Sequence, residues 1–222
     1  MIGEKILSRE SVTAMANQNV SFATSRSQVV DAYLQQGQNV VTRLRELAVQ
    51  SADGTLSDAD REAIQAEAGQ LLEHLDAQYR DGEFNGQKVL QGGAVDVAVS
   101  PDGDAMTLQN GNLSRADLGI DNLDLSTAEG AQQAIDALDA ASENISGQRS
   151  VIGADMRRLD ETFQANLQSR AAAREAGAGY TDVDYGQMLT RMSTASIRQQ
   201  IGIALKAQSS QITGGLVQSL LG

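Results

Sequence analysis

A chain of 222 residues with a formal net charge of -12, 3% aromatic residues, no tryptophan and no cysteine excludes several classes at once. The acidity disfavours nucleic acid, whose phosphates demand clustered Lys and Arg, and without cysteine there is no disulfide framework, thiolate metal site or Cys nucleophile. So few rings point to a narrow seam of Ala, Leu, Ile and Val between paired helices rather than a thick core, and the single proline leaves long helices uninterrupted.

Residues 1 to 27 read as a polar, Ser-rich helical lead-in with a loose apolar face of Ile6, Leu7, Val12, Met15 and Val20. From Ser27 the pattern sharpens. Val30, Leu34, Val41, Leu44 and Ala48 recur at a spacing of about 3.5, the period of a stripe that stays on a partner helix. Gly37 occupies the intervening position and permits close approach, at a cost of about 1 kcal/mol against alanine.

Ala52-Asp53-Gly54-Thr55 supplies a turn, and Ser57 caps a second helix with Asp58 and Asp60 in its electropositive first turn. Ile64, Ala68, Leu71, Leu72, Leu75 and Tyr79 share one face of that helix, and the short loop makes the two helices antiparallel neighbours. Residues 28 to 83 form a first helical arm.

Beyond Asp81-Gly82 the period changes to two. Val95, Val97 and Val99 alternate, Pro101-Asp102-Gly103 turns, and Met106 to Leu108 return as a second strand. Asn85-Gly86 and Asn110-Gly111 are further turn signals, so residues 84 to 125 read as a small β-hairpin region.

Ser126 and Glu129 form a capping box for a return arm over residues 126 to 180. Ile135, Leu138, Ser142, Ile145, Arg149, Ile152, Met156, Leu159 and Phe163 follow alternating spacings of three and four, a coiled-coil seam. Ser142 and Arg149 lie either at the seam's edge or within it as register-fixing polar groups. The Ala- and Gly-rich stretch 170 to 180 reads as a hinge before a last helix over 181 to 222. That helix is anchored by Met188, Met192, Ile197, Ile201, Leu205, Ile212, Leu216 and Leu220.

Chemistry is sparse. The one histidine, His74, sits on a charged flank without a second imidazole or thiolate, so it reads as a surface residue and no metal or cofactor site is expected. The acidic pairs Asp58/Asp60 and Asp182/Asp184 fall at predicted helix starts, where they stabilise the helix dipole rather than do acid-base work. No nucleophile elbow or phosphate-binding loop is present, so no catalytic residue is expected. No apolar run approaches the ~18 residues of a membrane span, and no cleavable signal opens the chain.

Several segments resemble bacterial flagellin: Arg43-Leu44-Arg45-Glu46-Leu47-Ala48-Val49-Gln50-Ser51, then Ser57-Asp58-Ala59-Asp60-Arg61, then Phe84-Asn85-Gly86-Gln87. Near the other end Asp182-Val183-Asp184-Tyr185, Met192-Ser193, Ile197, Gln199-Gln200, Gly202, Ala207-Gln208 and Leu216 to Leu221 resemble the flagellin carboxyl terminus. As read, the resemblance covers residues 28 to 222 and places Met1 downstream of the long amino-terminal helix that carries the family's export signal, without variable outer domains.

The resemblance implies a mainly α fold, an elongated antiparallel helical bundle or coiled coil with a small β-hairpin element. It implies a secreted, extracellular structural subunit of the flagellum, not an enzyme. Such a subunit is exported by a type III route and self-assembles with other flagellin subunits. A flagellar export chaperone and the animal innate immune flagellin receptor are the further partners implied. Arg43, Leu47 and Glu67 match positions of receptor or subunit contact, and Met192, Ile197, Ile201, Leu205, Leu216 and Leu220 belong to the assembly helix. The alternative is a non-polymerising flagellin-derived surface or junction protein that binds a ligand or partner.

Overall fold

The computed structural model describes the backbone of residues 2–220 and the side chains of residues 8–177, 186 and 188–201. The described chain is mainly α. Helix α1 spans Ile2–Ser51 and α2 spans Asp58–Asp81. Four short strands follow: β1 Glu83–Phe84, β2 Gln87–Lys88, β3 Ala94–Ala98 and β4 Ala105–Gln109. A one-turn helix α3, Arg115–Leu118, leads to α4, Ala128–Leu220. The chain divides into two compact units: residues 11–168, and residues 1–10 with 169–222.

The first unit is built as the apolar spacing dictates. Val30, Leu34, Val41, Leu44 and Ala48 of α1 are fully buried, and meet Ala68 and Leu75 of α2 and Leu138, Ile145 and Ile152 of α4 in one cluster. Cross-helix polar pairs fix the directions. Gln38 Nε2 donates to Ser142 Oγ at 2.7 Å, and Arg45 pairs with Asp139, so α4 runs antiparallel to α1. Gln36 of α1 meets Gln78 of α2 and Arg43 meets Glu67, so α2 is antiparallel to α1 as well. Gly37 does permit close approach, but the group that approaches is Leu113, from the segment after the hairpin, whose Cδ2 lies 2.7 Å from where a Cβ would stand.

Ser57 caps α2 as its sequence predicts. Its side chain accepts from the Asp60 amide, while the Asp60 carboxylate accepts from the Ser57 amide. The expected strands also form, β3 pairing antiparallel with β4 in the register Val95 to Leu108 and Val97 to Met106. Asn85-Gly86 turns β1 into β2 with both residues at positive φ, 51° and 76°.

Four expectations differ in the structure. Asn110-Gly111 makes no turn: the Asn110 amide donates to the Gly93 carbonyl and the Gly111 amide to the Val89 carbonyl, extending the ladder beyond β4. The cap of α4 is Thr127, whose Oγ1 accepts from the Gly130 amide at 3.0 Å; Ser126 instead closes a local turn on Asp124. The Ala/Gly-rich stretch 170 to 180 is unbroken helix, so a single α4 replaces a return arm, hinge and separate last helix. The boundary between the two compact units nonetheless falls at Ser169.

The α4 seam is also shifted. Leu138, Ile145, Ile152 and Leu159 lie at its buried centre, but their companions are Ala134, Ala141, Gln148 and Asp155. Ser142, Arg149, Met156 and Phe163 are half-buried along one flank. Ser142 and Arg149 therefore stand at the edge of the seam, and from there both reach across to α1.

Candidate assembly and recognition surfaces

Arg43 and Glu67 meet because α1 and α2 run antiparallel with these residues on their outer flanks. Arg43 Nη2 donates to Glu67 Oε1 at 2.8 Å and its Nη1 to Glu46 Oε2 at 2.9 Å. Both side chains of the Arg43–Glu67 pair are about half exposed. The Glu67 carboxylate, and then that of Glu46, holds the Arg43 guanidinium above its ordinary pKa. Asn39, Val40, Gln70, Leu71 and His74 complete a shallow groove around the pair. His74 is exposed, its Nδ1 3.4 Å from Gln78 Nε2, and among the described residues no group of His, Cys, Asp or Glu is placed to hold a metal ion. Leu47 does not share this surface. At 1% exposure it packs in the core of the three helices.

The far part of α4 has the opposite character. Met188, Leu189, Met192, Ile197 and Ile201 are all 49–61% exposed. At about 100° per residue, Met188 and Met192 project to one side of the helix and Ile197 and Ile201 to the other. A helix that is apolar on opposite sides needs more than one neighbour to cover it. Leu205, Leu216 and Leu220 lie outside the residues whose side chains are described.

Sequence reasoning missed a third feature, the polar groups that seat the hairpin. Gln148 of α4 accepts from the Asn112 amide at 2.7 Å and donates to the Asn112 carbonyl at 3.0 Å. Asp155 accepts from the Gln109 amide at 3.4 Å, and Asn166 Nδ2 donates to the Val99 carbonyl at 2.8 Å. From α1, Asn19 Nδ2 donates to the Ala98 carbonyl at 3.1 Å, and Arg26 donates to the Asn110 side chain. Buried polar groups are costly unless bonded, so Asp155 and Asn166, only 5% and 7% exposed, are held by the strands they hold. A polar residue at a seam position was the available signal.

Antiparallel helices stapled across a small hairpin, with a stretch of α4 that carries exposed apolar residues on opposite sides, suit the class of structural subunits whose surfaces serve other proteins. Comparison with known proteins gives the family. The bacterial flagellin N-terminal helical region matches residues 3–94, and the bacterial flagellin C-terminal helical region matches residues 135–221. The chain is 31% identical to the flagellar filament 33 kDa core protein of Treponema phagedenis, over 99% of this chain and 83% of that one. It is 30% identical to the flagellin of Listeria monocytogenes, over 91% of this chain and 77% of that one. The crystal structure of Bacillus cereus flagellin aligns with a TM-score of 0.60 at 26% identity, covering 67% of this chain and 88% of that chain.

This chain belongs to the bacterial flagellin family, whose members are structural subunits of the flagellar filament. The amino-terminal match begins at residue 3, so the family's helical region includes residues 3 to 27 as well as the segment from residue 28 that carries the resemblance.

Proposed function

We propose that this filament subunit assembles through the far part of α4, with Met188, Met192, Ile197 and Ile201 covered by neighbouring copies. The observation that supports this is their exposure on opposite sides of one helix, an arrangement that a single partner helix does not satisfy. Assembly rather than catalysis is the activity, and the subunit works outside the cell as part of the flagellum. Before assembly the same apolar segment is the natural seat for a flagellar export chaperone, which would cover it in transit.

Sedimentation and electron microscopy test the reading. Met192→Glu with Ile197→Glu should abolish filaments while leaving the melting of residues 11–168 unchanged, and deletion of residues 187–222 should also abolish chaperone capture. Filaments of normal length from the double variant would overturn it.

The Arg43–Glu67 pair is the receptor-facing element of the proposal, supported by its exposure and its position in the family pattern. Arg43→Ala should weaken signalling by the innate immune receptor without loss of helicity. Leu47→Ala should act through folding, because Leu47 is core. Unchanged signalling by folded Arg43→Ala would remove the receptor from the list of partners.

A further inference from the structure

The sequence holds two Asn-Gly pairs, Asn85-Gly86 and Asn110-Gly111, and the fold treats them in opposite ways. Asparagine followed by glycine carries its own reactants. The side-chain amide carbon lies within reach of the next backbone nitrogen, and glycine puts no side chain in the way. What else those atoms are bonded to then decides whether a ring can close.

At Asn110 every reacting group is engaged. Its Nδ2 donates to the Gly92 carbonyl at 2.7 Å, its Oδ1 accepts from Arg26, and the Gly111 amide donates to the Val89 carbonyl at 2.9 Å. Gly111 is buried, with the side chains of Val30, Leu34 and Leu90 at 3.1 to 3.2 Å from where a Cβ would stand.

At Asn85 none of this holds. Both residues of the pair are exposed, and nothing lies within 4 Å of where a Gly86 Cβ would stand. Among the described residues neither the Asn85 side chain nor the Gly86 amide has a hydrogen-bond partner. Asn85 is also the one non-glycine at positive φ among the described residues, at 51°, a conformation sparsely populated by L side chains. Only the pairs Glu83 with Lys88 and Phe84 with Gln87 hold β1 to β2, so the turn opens at little cost.

We infer that Asn85 is a site of self-modification, converted through a cyclic imide with Gly86 into aspartate and isoaspartate, while the fold protects Asn110. The Gly86 nitrogen loses its proton to water or hydroxide and attacks Asn85 Cγ. The nitrogen–Cγ bond forms, the Cγ–Nδ2 bond breaks, and Nδ2 leaves as ammonia with a proton taken from water. A further water then adds to either imide carbonyl and that carbon–nitrogen bond breaks. Opening at Cγ leaves aspartate; opening at the main-chain carbonyl leaves isoaspartate, whose backbone is longer by a methylene. The balance is one water consumed and one ammonia released, so the step draws on this chain and water alone and stands independently of assembly.

The two products differ in consequence. Aspartate keeps the turn, since Asp-Gly suits it as Asn-Gly does, and adds a carboxylate to the groove that Asn85 lines with Phe22 and Asp96. Isoaspartate lengthens the connection and takes Phe84, which packs against the helical core, out of register with Gln87.

The test is ageing of the full chain in mildly alkaline buffer, with and without denaturing urea, followed by peptide mass spectrometry at both positions. In the folded chain Asn85 should exchange NH2 for OH about tenfold or more faster than Asn110, because Asn110 must first open. Part of the product should accept a methyl group from a protein isoaspartate methyltransferase. In urea the two rates should converge, since the local chemistry is the same. Asn85→Gln should keep its side-chain amide over the same period, because its ring closure needs a longer reach. Equal rates at the two positions in the folded chain, faster loss at Asn110, or the same disparity persisting in urea would overturn the inference.

Discussion

Asp31 and Arg149, 118 positions apart in sequence, meet across α1 and α4, with Arg149 Nε donating to Asp31 Oδ1 at 2.8 Å. Each side chain is about one-third exposed. The pair therefore marks register more than it supplies stability. A double-mutant cycle over Asp31→Asn and Arg149→Gln should return a coupling of about 1 kcal/mol or less, shrinking as salt is raised from 0.05 to about 0.5 M. A coupling several times larger and insensitive to salt would mean that the pair is shielded from solvent.

The apolar centre of the same helix pair carries far more. Ile152 and Leu159 are 1% and 0% exposed, so truncating either to alanine should cost about 2 to 5 kcal/mol, read as a lowered urea midpoint. Met156, half-buried on the flank, should cost distinctly less on the same substitution. Equal losses at all three would show that the flank is as tightly packed as the centre.

Two glycines separate helix propensity from packing. Gly69, within α2, has nothing within 4 Å of an added Cβ, so Gly69→Ala should stabilise by about 0.5 to 1 kcal/mol. At Gly37 the same gain is opposed by the Leu113 methyls at 2.7 and 3.0 Å, and Leu113 is fully buried with little room to yield. Overpacking costs about 1 to 3 kcal/mol, so Gly37→Ala should come out neutral to destabilising. Thermal melts of the two variants should move in different directions; parallel gains would mean that Leu113 repacks freely.

Acid should loosen the start of α2. Hydrogen bonds from the Ser57 hydroxyl, and then its amide, hold the Asp60 carboxyl below the usual aspartate value. A pKa that is lower folded than unfolded contributes stability that is complete above the unfolded value, about 3.9. It is lost as pH falls through the folded value. Asp124, held down by the Ser126 hydroxyl and amide, acts with the same sign before α4. Melting temperature should therefore hold level from neutrality to about pH 4 and drop below it, and Ser57→Ala should make that drop shallower. An unchanged acid limb in Ser57→Ala would mean that the cap does not couple to the proton.

Much of this was legible in the sequence because apolar periodicity is local information. The stripe from Val30 to Ala48, the strands either side of Pro101-Asp102-Gly103 and the Ser57 cap all stand where their spacing places them. The missing parts depend on partners distant in sequence. Gln148, Asp155 and Asn166 occupy seam positions as polar residues because the strands bring unpaired backbone groups to them, and no helical period encodes that. The turn signal at Asn110-Gly111 lost to the Gly93 and Val89 carbonyls, which continue the ladder. Glycines in 170 to 180 suggested a break, but their cost of about 1 kcal/mol each is spread along a very long helix. Leu47 and Arg43 lie four apart, yet only Arg43 reaches the surface, because Leu47 falls on the stripe shared with Leu44 and Ala48.

Apart from Arg26, which bonds the Asn110 side chain, the side chains of α1 and α4 that seat the hairpin grip carbonyls and amides: those of Ala98, Val99, Gln109 and Asn112. A grip on the main chain is blind to what the main chain carries. The outward residues of the strands can thus change without loosening the seat, whereas the turn between them holds Gly103 at a φ of 92° that disfavours any side chain. The part of the subunit most open to change is fastened by the means least disturbed by it, so the outward face of the strands is where foreign side chains can be displayed while the helices beneath keep their packing.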